Sequence, residues 1–206
     1  MSIALARSVG SFFQEAVGEA VRSRRIDTTE EVRSYLVALL SDFARPDPAR
    51  DGTFERPLTF LLHEALRATG GERFQRLRLL GDSVLYIAGF FADHIENRGV
   101  DVGYVNNVGA TAYGSAASML RRPPSGEALE AGGRDVDNVF GELSRKFSGL
   151  VEVLTAVSET TLAQQARGER GVLKLYERWL RSGSEILAGE LGARGIVPLR
   201  GTGGLH

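Results

Sequence analysis

The sequence predicts an all-α protein, on three observations. Apolar residues recur at three- and four-residue spacing through most of the chain, helix start and stop signals punctuate those stripes, and no alternating β-branched run bounded by tight turns occurs. At 206 residues, with 43% hydrophobic and 25% charged, the chain can bury a sizeable core without covalent staples. The expected architecture is a single-domain bundle, residues 1–206, of six or seven helices around a buried central helix at 74–97.

The first helix is expected over Ile3 to Arg24, with Val9, Phe12, Phe13, Val17 and Val21 on one side. Phe12 and Phe13 are adjacent and cannot both point along one core line, so one of them is expected to reach a groove, a neighbour or a second subunit. Val32, Tyr35, Leu36, Leu39, Leu40 and Phe43 form the stripe of the next helix, and Thr28 with Glu31 has the spacing of a capping box ahead of it. Pro46, Pro48 and Gly52 mark a loop over 45–55. Pro57 suits the first turn of a short helix through Ala68, which Gly70 and Gly71 are expected to stop.

The segment Phe74 to Asn97 is apolar nearly all round, as a helix buried on every side would be, and Leu85 and Phe91 are expected core residues within it. Its partner, Val102 to Leu120, carries many glycines and alanines, which implies that a backbone or a ligand comes close. Arg121 to Arg134, rich in proline and glycine, is expected to be a loop. Asp135 is then a candidate N-cap for a helix striped from Val136 to Val157. A last helix runs from Leu173 to Leu191, closed by Gly195 and Pro198, before a tail over 201–206 expected to fray. In it Tyr176, Trp179 and Leu180 divide between two roles, core or anchors for a partner protein.

Composition excludes several functions. A formal net charge of −1 gives no field to gather nucleic acid or an anionic membrane. The absence of cysteine removes disulfides, thiolate catalysis and cysteine metal sites. Met1 to Gln14 lacks signal-peptide order, and the longest apolar run, Val84 to Ala92, is too short to span a bilayer, so a cytoplasmic protein is expected. Arginine is abundant while lysine occurs only at Lys146 and Lys174, a bias expected of a GC-rich bacterium.

Motifs for catalysis are missing. The histidines are His63, His94 and His206, without the paired Glu-x-x-His of di-iron bundles or a His-Glu-x-x-His zinc helix, so no metal site is expected. No Gly-x-Ser-x-Gly elbow occurs, and the glycine-rich segments 168–171 and 201–204 neither follow a strand nor carry a phosphate-loop lysine.

Polar groups do stand out in the central pair. Asp82, Tyr86 and Asp93 share a helix face, and Tyr104, Asn107 and Tyr113 lie on the partner. Buried carboxylates and amides must find partners, so these six residues either line a ligand pocket or satisfy one another and set helix register. Asp82 in particular is expected to be buried and to accept a hydrogen bond from Tyr86 or Tyr113. The function expected from all this is a non-enzymatic regulatory or protein-interaction protein that self-associates. The alternative is a small-molecule or cofactor binder, or an enzyme, with a pocket between helices 74–97 and 102–120.

Overall fold

The computed structural model describes residues 2–45, 56–92, 95, 99–120 and 138–199, with side chains from Val9 onward in the first helix. Most of the expected loop at 45–55, all of that at 121–134, the cap at Asp135, the tail at 201–206 and the site candidate Asp93 lie outside the described residues. Among those described there are nine helices and no strand, so the protein is all-α. In chain order they are α1 Ser2–Arg24, α2 Glu30–Phe43, α3 Leu58–Arg67, α4 Gly70–Phe90 and α5 Val102–Leu120. Then come α6 Val139–Arg145, α7 Phe147–Gln165, α8 Gly168–Ser182 and α9 Glu185–Ala193.

The count exceeds six or seven because two stripes that look continuous are each cut once. The 136–157 pattern is divided at Lys146, whose ψ of 13° leaves the helical region between α6 and α7. The 173–191 pattern is divided at Gly183, which takes a left-handed φ of 65° that suits glycine and ends α8. Ser184 caps the next helix by accepting from the Leu187 amide, and its hydroxyl donates to the buried Glu159 at 2.6 Å. Gly70, expected as a stop, instead opens α4, with a φ of 56° that turns the chain between α3 and α4.

The cap of α2 also differs. Thr29, not Thr28, is the N-cap, and its hydroxyl accepts from the Val32 amide. In a capping box a glutamate three residues on would bond the N-cap amide. Here Glu142 of α6 does so from 113 residues away, accepting from the Thr29 amide at 3.0 Å and the Thr29 hydroxyl at 2.8 Å. A local signal is thus completed by a tertiary contact.

The chain divides into two compact units, residues 1–155 and 156–206, with the division inside α7. In the first unit α4 packs against α2, α3 and α5, and α5 packs in turn against α6. Leu77, Leu80, Val84, Leu85 and Ala88 of α4 are buried, as are Val105, Val108, Ala112 and Tyr113 of α5. Leu85 is the core residue expected, and full burial of a leucine stabilises by about 1.5–3 kcal/mol. Phe91 is not: it is 48% exposed. The reason is local, since α4 ends at Phe90 and Phe91 has φ −128° and ψ 34°, so the helical periodicity no longer aims its ring inward. Phe13 is buried while Phe12 is half-buried with its ring against Phe13, centroids 5.3 Å apart.

The second unit has its own small core of Ala163, Leu175, Trp179, Leu187 and Leu191, flanked by Leu162, Val172, Tyr176 and Ile196. Trp179 therefore belongs to that core. Arg194 fastens the end of α9 by donating to the Ala163 carbonyl at 2.8 Å.

Candidate functional site

Three helices converge on Asp82. It sits in the middle of α4, one turn past Arg78, and its side chain is only 13% exposed. Tyr113 on α5 donates to its Oδ1 at 2.7 Å, and Tyr35 on α2 donates to the same oxygen at 2.5 Å. Arg78 Nε donates to the Tyr35 hydroxyl at 3.2 Å and stands 3.5 Å from Asp82 Oδ2. The guanidinium carbon also lies 5.7 Å from the centroid of the Tyr35 ring, within cation–π range.

Local packing explains why Tyr113 can reach in. Gly81 lies under its ring: a Cβ there would be 2.7 Å from two ring carbons, so no larger residue fits without moving the tyrosine. The same device recurs on α5, where Gly109 lies under the Phe147 ring, and on α4, where Gly89 lies against Leu154. The small residues of this pair therefore admit the neighbours' side chains.

Electrostatics follow from burial. Burial pushes the Asp82 carboxyl above its ordinary value, although the two tyrosine bonds and Arg78 pull the other way. Burial also raises Tyr113 well above its ordinary value, and the negative charge of Asp82 adds to the effect. Tyr35 is raised by the same two causes. Both hydroxyls are thus held as donors to one carboxylate oxygen.

The other site candidates separate from this group. Tyr86 lies one turn along α4 but does not bond Asp82; its ring stacks between Phe43 at 4.3 Å and Phe90 at 4.9 Å. Burial raises its hydroxyl as well. Tyr104 is 40% exposed and Asn107 is exposed, both near the start of α5. Among the described residues, Asp82 and Tyr113 are therefore the two expected site residues that the fold brings together. Sequence reasoning missed Tyr35 and Arg78. Arg78 was findable, being at i−4 from Asp82 on one helix, the spacing of an ion pair. Tyr35, 47 residues away, carried no signal beyond its place in the α2 stripe.

A cleft of about 270 Å³ opens beside this network, between α2 and α4. From α2 it is lined by Tyr35, Ala38, Leu39, Asp42 and Phe43, and from α4 by Gln75, Arg78, Leu79 and Asp82. Among the described residues no group of three or more His, Asp or Glu is placed to hold a metal ion, and no helix is long and apolar enough to cross a membrane. No family model, curated protein or solved structure matches the chain.

Proposed function

We propose that this protein acts without catalysis, as a regulatory or interaction protein that pairs with a second copy of itself through the outer face of α8. One observation carries the reading: Leu173 and Leu180 are 57% and 43% exposed, seven residues apart on α8. At about 100° per residue Leu175, Trp179, Val172, Tyr176, Leu180 and Leu173 fall within an arc of about 160°, interrupted by the exposed Glu169 at about 120°. A helix facing only its own core needs an apolar stripe little wider than about 100°. The small core of this unit takes Leu175 and Trp179, Val172 and Tyr176 pack partly against it, and Leu173 and Leu180 are left exposed.

The occupant argued for is a second copy because the strip matches itself. In an antiparallel two-fold pairing centred between Tyr176 and Glu177, Leu173 of each chain meets Leu180 of the other, and the contact is made twice. Exposed Val197 and Leu199 extend the apolar surface, with the Leu199 carbonyl tied to the Tyr176 hydroxyl at 3.1 Å. The arginine-rich, lysine-poor composition supports a bacterial setting, and near-neutral charge speaks against nucleic acid as the partner.

Sedimentation equilibrium tests the reading. The wild type should dimerise at micromolar concentration, and Leu173→Glu with Leu180→Glu should leave a folded monomer with unchanged far-ultraviolet circular dichroism. A wild type that stays monomeric at high concentration, or a double variant that dimerises as the wild type does, would overturn it.

A further inference from the structure

We infer that the cleft between α2 and α4 is a binding site for a small organic cation, an amine or amidine carried on an aromatic or apolar body. It lies in the first unit and is independent of the α8 face. The lining has the two parts such a ligand needs. Asp82 at the inner end and Asp42 nearer the mouth supply two carboxylates against one guanidinium, that of Arg78. Asp42 does meet Arg45, but at 4.0 Å and with both side chains more than half exposed, a contact worth little. Leu39, Phe43 and the Tyr35 ring supply the apolar wall.

The geometry at Asp82 points the same way. Both tyrosines are spent on Oδ1, whereas Oδ2 has Arg78 Nε at 3.5 Å, longer than a good charge-assisted hydrogen bond. Arg78 meanwhile rests beside the face of Tyr35 with its side chain 43% exposed. A planar cation on a flexible stem thus already occupies the aromatic and carboxylate contacts that a ligand would use, and that stem can swing into water as the ligand enters. The volume of about 270 Å³ falls just under the range of drug-sized pockets, which sets the ligand class as small.

Titration of the full chain with benzamidine and 2-phenylethylamine tests this, with phenylacetate as the anionic and benzyl alcohol as the neutral control. Binding is read by calorimetry and by amide shifts of Ala38, Leu39 and Leu79. Both cations should bind and both controls should not. Asp82→Asn should weaken the cations about tenfold or more, the loss of a hydrogen bond to a charged group. Asp42→Asn, at an exposed position, should weaken them about two- to fivefold and decides the matter if Asp82→Asn does not fold. No binding at millimolar concentration, equal binding of phenylacetate, or cation affinity unchanged in Asp42→Asn would each overturn the proposal.

Discussion

The hydroxyl of Tyr113 on α5 stands 2.7 Å from Oδ1 of Asp82 on α4, and it gets there because Gly81 leaves room for its ring. The contact joins the buried faces of two helices by a polar bond where apolar packing alone would leave their register weakly specified. Tyr35 adds α2 to the same oxygen. The network therefore ties three helices, and its removal is a stability question as much as a ligand question.

Substitution of Asp82 separates its geometry from its charge. Asp82→Asn keeps an acceptor for both tyrosines and should cost about 1 kcal/mol. Asp82→Ala strands two tyrosine donors, of which Tyr113 is fully buried, and should cost about 2–4 kcal/mol. Urea melts with a fixed slope measure both. Equal and negligible losses in the two variants would show that the network contributes nothing to stability.

Alkaline pH should unfold this protein through the same residues. Tyr35 and Tyr113 have folded values raised above the unfolded one, so their contribution is full below pH ~10 and is lost as pH rises beyond it. The unfolded chain ionises there and the folded one does not. Phenolate absorbance against pH should therefore show part of the five-tyrosine signal arriving late and together with the loss of helix. Tyr35→Phe with Tyr113→Phe should abolish that coincidence. Asp82, also raised, acts at the other end: its contribution is greatest below pH ~4 and declines as pH rises through its folded value.

Glu142 should behave in the opposite sense. Burial pushes it up, but the bonds from Thr29 and the neighbouring Lys146 outweigh burial and hold it below its ordinary value. Its contribution is present above the unfolded value near 4 and is lost as pH falls through the folded one. Glu142→Ala should cost about 1–3 kcal/mol by stranding the Thr29 amide and hydroxyl, whereas Glu31→Ala, three residues after the Thr28 expected as the cap, should cost well under 1 kcal/mol. Thermal melts of the two variants distinguish a cap made across the fold from one made along the helix.

The sequence by itself determined the helical class, the stripes of α2 and α7, and the burial of Leu85, because these depend on a period of 3.6 residues that any helix must show. It also marked Asp82 and Tyr113, since a carboxylate and a phenol in an apolar run must find partners. Only the tertiary structure decided which partners those were. Tyr35 reaching Asp82 and Glu142 capping Thr29 join residues 47 and 113 positions apart, and no local spacing encodes such pairs. The breaks at Lys146 and Gly183 were likewise invisible to periodicity, because an apolar stripe continues in register across a hinge while the backbone turns. Phe91 failed for the same reason in reverse: its spacing is helical, but the helix had already ended.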